Sequence, residues 1–396
     1  MKKVTRIILW GAWYGSKNLG DQALLLSITD LLGEGIKDAE FVVITANPAL
    51  VREYTKMDSS YSFIPLHIRK QFLAVIKAFS TADLFVFGGG VPFYDDLFHS
   101  IVMAAFISLS LIFKVSCVLW SVSSLRIRSS FSKLMIRYVL SWASVITCRD
   151  RHTYELFKEC GACEDQLQIV ADSAFTLRSN EQDATKELLA RAGWNPRQVR
   201  SLVALTPRLL RTADGEAHTH YSPQTASESE KETDIFAGVL DWLWENGYQP
   251  IFVPMNTIAP DDDRIAFHKI ITKAKFGKKA FIIDEEIFPR DAANVYRYCQ
   301  AAFVARVHGA ITAFLGECPM LMYAFDFKHK GIMEQMNLSD STFEPDHNTP
   351  DEAIRMISQI LTRRMDLVAR MKEENEVLRE RARIPRDAAL RLLQQK

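Results

Sequence analysis

At 396 residues the chain is long for a single hydrophobic core, so two domains are expected. Its 48 lysines and arginines balance 48 aspartates and glutamates, and a formal net charge of zero excludes the basic surplus of a nucleic-acid binder. The 48% apolar content is enough for sizeable cores. Of six cysteines, only Cys160 and Cys163 have metal or redox spacing. A zinc site would need a second pair that the chain lacks, so these two are expected to be structural. No cofactor and no bound metal is expected. The apolar run near the N-terminus stops at Gly11, too soon for a signal peptide. The stretch SIVMAAFISLSLIF, Ser100 to Phe113, is cut by Lys114 before the ~20 apolar residues that a membrane span needs. It reads as a buried helix followed by a strand, and a cytoplasmic protein with reduced thiols is expected.

In chain order, strands are predicted at Arg6–Gly11, Glu40–Ile44, Leu84–Phe87, Val115–Val122, Val145–Cys148 and Leu167–Val170. Between them fall helices at Asp21–Leu32, Pro48–Tyr54, Ile68–Phe79, Leu97–Phe113, Ser130–Ser141 and His152–Glu159. This alternation predicts a doubly wound parallel sheet. A polar connection from Arg178 to Arg200 follows, with one short helix. The alternation then restarts. Strands are predicted at Ser201–Leu205, Pro250–Pro254, Ala280–Ile283, Ala302–Val304 and Pro319–Tyr323, and helices at Asp234–Glu245, Asp262–Lys273, Pro289–Tyr298, His308–Leu315 and Lys328–Gln335. The polar run Thr212 to Thr233 reads as a disordered insertion or a lid. The tail from Asp351 is helical in pattern, with Pro385 expected to break it. The simplest architecture is α/β, two Rossmann-like domains facing a cleft. Residues 1–180 form the first domain, 181–345 the second, and 346–396 a C-terminal helical segment.

Ligands of open parallel sheets bind beyond the carboxyl ends of the strands, so the residues at those ends carry the functional argument. YGSKNLGDQALLLSI, after the first strand, supplies Asn18 and Asp21, with Asp21 expected to cap the helix that follows. FVFGGG ends a strand in Gly88, Gly89 and Gly90, which permit close backbone approach to a ligand or to the other domain. Arg149 with Asp150, and Asp172, also follow strands and read equally as ion pairs or caps. In the second half Arg208 follows the strand of VALTP. Arg306 and His308 are expected to alternate onto one side of an extended segment, with Gly309 opening a helix. Two arginine forks, a histidine and a helix N-terminus suit a small, multiply charged anion.

NLGDQAL, FGGG, CRDRHTYELF, DSAF and above all RVHGAITAFLGECPMLMYAFDFKHKGIMEQM together resemble the polysaccharide pyruvyltransferase family, over roughly Arg6 to Met336. The resemblance implies a glycosyltransferase-B-like fold and transfer of pyruvate from phosphoenolpyruvate to two sugar hydroxyls, forming a cyclic ketal and releasing phosphate. It implies His308 as the catalytic acid/base. Arg208, Arg306, Gly309 and Lys328 would then hold phosphoenolpyruvate, with Lys330 an alternative to Lys328. Asn18, Asp21 and Gly88–Gly90 would hold the saccharide acceptor. The proline beside Arg208 and the insertion after it depart from the usual pattern. Two other readings compete. One is a nucleotide-sugar glycosyltransferase of the same fold, for which Asp326 and Glu334 stand eight apart as an imperfect acid pair. The other is a non-catalytic binding protein. RIRSSFSKLMIRY, with Arg126, Arg128, Lys133 and Arg137, reads as a solvated face or as a peripheral contact with the inner face of the membrane if the acceptor is lipid-linked.

Overall fold

The computed structural model describes residues 4–11, 13–45, 47–55, 61–65, 68–180, 183–197, 200–208, 226–259, 261–345 and 349–395. The chain forms two α/β units. The first takes the chain up to Ser16, then Asp21–Leu177 and the stretch from Leu378; the second takes Lys17–Gly20 and Arg178–Val377.

The first unit holds β1 (Thr5–Gly11), β2 (Ala39–Thr45), β3 (Tyr61–Pro65), β4 (Leu84–Gly88), β5 (Ser116–Val122), β6 (Val145–Cys148) and β7 (Leu167–Ile169). They pair in the order β3-β2-β1-β4-β5-β6-β7, every pair parallel. Helices cover both faces of such a sheet, so its inner strands read as unbroken apolar runs. In β4, LFVFG is buried throughout. The helices are α1 (Leu19–Gly35), α2 (Pro48–Thr55), α3 (Ile68–Thr81), α4 (Leu97–Ile112), α5 (Ser130–Trp142) and α6 (Arg151–Glu159). Aromatic rings fill the space between sheet and helices: Trp10 stacks on Phe87 at 5.1 Å and meets Phe106 edge-on at 4.3 Å.

The second unit repeats the plan. Its strands are β8 (Ser201–Thr206), β9 (Tyr248–Phe252), β10 (Phe281–Ile282), β11 (Cys299–Val304), β12 (Met320–Tyr323) and β13 (Thr342–Phe343). They pair in parallel in the order β10-β9-β8-β11-β12-β13. Its helices are α7 (Asp183–Arg191), α8 (Ala226–Glu245), α9 (Asp263–Lys273), α10 (Pro289–Arg297), α11 (Val307–Leu315), α12 (Phe327–Gln335) and α13 (Pro350–Thr362). In each sheet the order reverses at one place, between β1 and β4 and between β8 and β11. Those reversals are where ligands of doubly wound sheets collect.

Four expectations need correction. The edge strands β3 and β13 were not predicted, one following a polar run and the other only two residues long. The polar run Thr212 to Thr233 is helical from Ala226 onward, because Ile235, Phe236, Val239 and Leu240 bury α8 and carry its polar first turns with them; residues 212–225 lie outside the described residues. Pro385 does not break the tail: α14 (Arg364–Gln394) runs through it. Leu378, Ala382 and Ala389 are buried on either side of the proline, and Arg386 reaches Glu34 at 3.1 Å. Tertiary packing outweighs the lost backbone hydrogen bond. Finally, α1 opens at Leu19 rather than after Asp21. Asn18 supplies the cap, its Oδ1 accepting from the Gly20 N–H at 2.9 Å, and Asp21 lies inside the first turn. Among the described residues no helix is long and apolar enough to cross a membrane. Ser100–Phe113 falls on α4 and the turn into β5, a helix as expected, but one buried on a single face, with Ile101 and Ile112 exposed.

Candidate active site

In the second unit the arginines singled out in the sequence meet. Arg208 stands just beyond β8 and Arg306 just beyond β11, the two strands that flank the reversal. Both reach Asp261. Arg208 donates through Nη2 to Oδ2 at 2.9 Å, and Arg306 through Nη1 to the same oxygen at 2.9 Å. Arg306 also donates to Asp263, through Nε at 3.0 Å and through Nη2. Asp263 is fixed from behind, since its other oxygen accepts from the backbone N–H groups of Met255 and Asn256. Arg208 and Arg306 are nearly buried, while Asp261 keeps 21% of its side chain exposed. Arg306 is thus held by an inner carboxylate, and the two forks share an outer one.

Glu232, from the first half of α8, completes the cluster. Its Oε1 accepts from the Arg208 backbone N–H at 3.2 Å. Its Oε2 is buried and has no hydrogen-bond partner. Burial raises the Glu232 carboxyl to about 8, against the opposing pull of Arg208 and Arg306. Burial acts on Asp261 in the same direction, but the Arg306 and Arg208 guanidiniums overcome it and hold that carboxyl at about 2. Asp263 is raised, burial outweighing Arg306. Near neutral pH the cluster therefore contains one firmly ionised carboxylate, Asp261, and one carboxyl, Glu232, that keeps its proton.

His308 lies in the first turn of α11. The segment is not extended, as had been expected. Arg306 is the last extended residue (φ −113°, ψ 131°), Val307 begins the helix, and Gly309 is its third residue rather than its opening. The helix starts early because Ala310, Ile311, Ala313 and Phe314 bury its inner face and draw Val307 and His308 into the first turn. No side chain caps α11, and a helix N-terminus favours an anion. Gly309 packs against Thr206, leaving only tight room for a side chain. The imidazole of His308 lies against Gly20, where any β-carbon would overlap the ring. Gly20 is held there by pairing of the chain before it: Leu19 N–H donates to the Met255 carbonyl at 2.8 Å, and Asn18 bridges Asn256. Asn18 thus belongs to this cluster through its backbone.

Lys328 is buried rather than solvated and lies 3.6 Å from Asp326, whose other oxygen accepts from the Lys328 N–H and caps α12. Lys330 is the surface lysine and pairs with Glu344 at 2.7 Å. His329 is buried between them, its Nε2 3.3 Å from the Ala305 carbonyl and its Nδ1 without a hydrogen-bond partner. Burial lowers its pKa to about 3, so it is a neutral ring. The cations Arg208, Arg306 and Lys328 face Asp261, Asp263 and Asp326, so the site's positive charge is paired rather than spare. Sequence reasoning missed Glu232, Asp261, Asp263 and His329. The three consecutive aspartates Asp261–Asp263 after β9 were the available signal; Glu232 was hidden in a run that read as solvent-facing.

The first unit looks different at the equivalent strand ends. Gly11 and Gly88 face each other across β1 and β4, and a β-carbon on Gly11 would lie 2.7 Å from the Gly88 backbone. Gly88 packs on Trp120, and Gly89 and Gly90 take left-handed φ of 79° and 70°. All three are buried; Gly88 is crowded by Trp120, Gly89 by Leu24, and the left-handed φ of Gly89 and Gly90 favours glycine. Asp21 accepts from Ser16 Oγ at 3.4 Å. Arg149 and Asp172 form a buried pair at 2.5 Å, and Asp150 and Asp172 cap the turns after them. Cys160 ends α6 and is buried, Cys163 is exposed, and both are free thiols.

A family model for polysaccharide pyruvyl transferases matches residues 18–326. The chain belongs to this family. Solved structures share the fold at low identity. The chain is similar to HepE of Anabaena solved with UDP and glucose, at 12% identity over 99% of this chain and 98% of that one, with a TM-score of 0.61. It is similar to a putative UDP-N-acetylglucosamine 2-epimerase from Listeria monocytogenes (12% identity, 93% and 90% covered, TM-score 0.60). The UDP-GlcNAc 2-epimerase of Methanocaldococcus jannaschii is similar too (12%, 91% and 93%, 0.60). The fold is glycosyltransferase-B-like, as the sequence predicted, and the family points to polysaccharide biosynthesis.

Proposed function

We propose that this pyruvyltransferase uses phosphoenolpyruvate as donor and joins its pyruvyl carbon to two hydroxyls of one sugar as a cyclic ketal. The acceptor is a saccharide of a cell-surface polysaccharide, or its lipid-linked precursor, modified in the cytoplasm where the donor is found. The observation that carries this reading is the convergence of Arg208 and Arg306 on one part-exposed carboxylate, beside the uncapped α11 that carries His308. An anionic substrate group has two prepaid guanidinium forks to compete for, and Asp261 occupies the position it would take.

The chemistry then runs as follows. Protonation of the methylene carbon makes C2 electrophilic. A sugar hydroxyl adds to C2 and loses its proton, the C2–O bond to phosphate breaks, and a second hydroxyl closes the ring. Of the two hydroxyl protons, one balances the proton placed on carbon and one leaves with phosphate. His308 is the group for proton transfer, because imidazole both gives and takes a proton near neutral pH. Arg208, Arg306, the Gly309 turn and Lys328 hold the donor. Asn18, Asp21 and Gly88–Gly90 stand as the acceptor-side residues.

Ligand-induced thermal stabilisation tests the donor. Phosphoenolpyruvate at about a hundred times its dissociation constant adds ~2.7 kcal/mol to the folded state. The expected result is a shift with phosphoenolpyruvate and none with UDP or GDP, together with phosphate release on adding acceptor that is lost in His308→Asn. A shift with a nucleotide alone moves the assignment to a nucleotide-sugar transferase.

A further inference from the structure

Helices α3, α4 and α5 contain no aspartate or glutamate, in a chain whose acids and bases are equal in number. α4 carries no charged residue at all. The cations Lys77, Lys133 and Arg137 lie on α3 and α5, and Arg126 and Arg128 lie just before α5, exposed. Each helix also leaves large apolar side chains in solvent within its N-terminal half. Leu73 on α3 is 80% exposed, Phe98 on α4 69% and Leu134 on α5 56%, with Ile101 and Phe131 beside them.

These side chains share one end of the unit. α4 and α5 run parallel and in contact, since Ser100 meets Ser132 at 3.5 Å and Ser108 meets Tyr138 at 2.9 Å. Their starts are tied together, because Asp95 accepts from the N–H groups of Arg128 and Ser129 at 2.8 and 2.9 Å. α3 packs on α4. In a βα repeat the helix N-termini lie over the carboxyl ends of the strands, so the apolar side chains gather at the edge where β4 ends in Gly88. Ile112 and Trp142 are exposed too, but at the opposite helix ends. The nearby acids are engaged: Asp95 as above, Asp96 capping α4, and Glu159 3.4 Å from Lys133.

An apolar surface rimmed by cations and free of acids within its helices matches an anionic bilayer, into which apolar side chains sink while lysines and arginines stay at the headgroups. We propose that the N-terminal ends of α3, α4 and α5 dock this protein peripherally on an anionic lipid surface. The proposal stands independently of the donor reading, since none of these residues belongs to the arginine cluster.

Co-sedimentation with phosphatidylglycerol and phosphatidylcholine vesicles tests it. The wild type is expected to pellet with phosphatidylglycerol at low salt, to be released at high salt, and to stay in solution with phosphatidylcholine. Phe98→Glu with Leu134→Glu abolishes binding. Arg128→Gln with Arg137→Gln weakens partitioning about 25-fold, roughly fivefold per lost cation. Melting temperatures verify folding, and Phe98→Ser with Leu134→Ser replaces the glutamate pair if that pair unfolds. A wild type that ignores phosphatidylglycerol overturns the proposal, and so does binding indifferent to the apolar substitutions. Self-association that depends on these residues, without vesicle binding, assigns the face to a second copy of the chain and likewise overturns it. Phosphoenolpyruvate stabilisation, measured on the same variants, stays as in the wild type.

Discussion

The two units are built on one plan, with the same reversal at the centre of the sheet, yet they spend it differently. At the reversal in the first unit stand Gly11 and Gly88, and the space between the strand ends is too small for a β-carbon. At the reversal in the second stand Arg208 and Arg306, and the space is filled by charge. Each unit also has a buried arginine–aspartate pair, and these differ as well. Asp172 is fully buried, and its other oxygen caps a turn, so the Arg149 pair is closed. Asp261 is shared by two arginines and keeps an exposed edge. A buried ion pair is weak evidence of function by itself. What separates the two is whether the carboxylate that holds the guanidinium keeps an edge in solvent, where another anion can replace it.

The largest expected effect tests that separation. Arg149→Ala and Arg306→Ala each strand a buried carboxylate, and each should cost about 3–5 kcal/mol in urea unfolding. Only Arg306→Ala should also remove the thermal shift given by phosphoenolpyruvate. Equal loss of ligand response in both variants would show that the contrast between the pairs is one of stability alone.

The catalytic centre gives the next effect. His308→Asn should lower kcat by about 10²–10⁴-fold while leaving the phosphoenolpyruvate-induced shift in place. Gly20→Ala approaches the same ring from the other side. Alanine is the better helix former, but its methyl group would overlap the imidazole, so activity should fall although α1 gains propensity. Activity unchanged in Gly20→Ala would mean that the position of His308 is not what limits the reaction.

Glu232 sharpens the comparison through pH, because the closed pair of the first unit has no counterpart to it. Its folded pKa of about 8 lies above the unfolded value of 4.5, so between these pH values the folded chain binds the extra proton. Its contribution is present at low pH and is lost as pH rises toward 8, with a slope of up to ~1.4 kcal/mol per pH unit. His329, with a folded pKa of about 3 against 6.5, has the opposite slope and is silent above pH 6.5. Between pH 6.5 and 8 the wild type should therefore lose urea stability relative to Glu232→Gln. Parallel profiles would mean that Glu232 is already ionised.

Much of this could be read in the chain. Apolar runs such as ILW and LFVF are long enough and closely enough spaced to give the parallel order, and Arg208, Arg306 and His308 stood out by following strands. What stayed hidden was decided by tertiary contact. Glu232 sits in SESEKET, whose polarity reads as solvent-facing, and only the packing of Ile235 and Phe236 against the sheet carries it inside. Pro385 reads as a helix break, and only buried residues on both flanks keep the helix whole. Lys328 and Lys330 are indistinguishable by sequence, and burial separates them.

The smallest expected effect concerns the stretch NLGD, where Asn18 and Asp21 had seemed alike. Asn18 accepts from the Gly20 N–H and belongs with the second unit, while Asp21 accepts from Ser16 Oγ at 3.4 Å and belongs with the first. Asn18→Ala should lose about 1 kcal/mol as a missing cap. Asp21→Ala is compared at its own melting temperature, so that a loss of stability is separated from a loss of binding. With folding verified in that way, a rise in KM for the saccharide with kcat retained would have to come from lost acceptor binding. An unchanged KM would remove Asp21 from the acceptor side and leave its carboxylate the ordinary acid of a helix first turn.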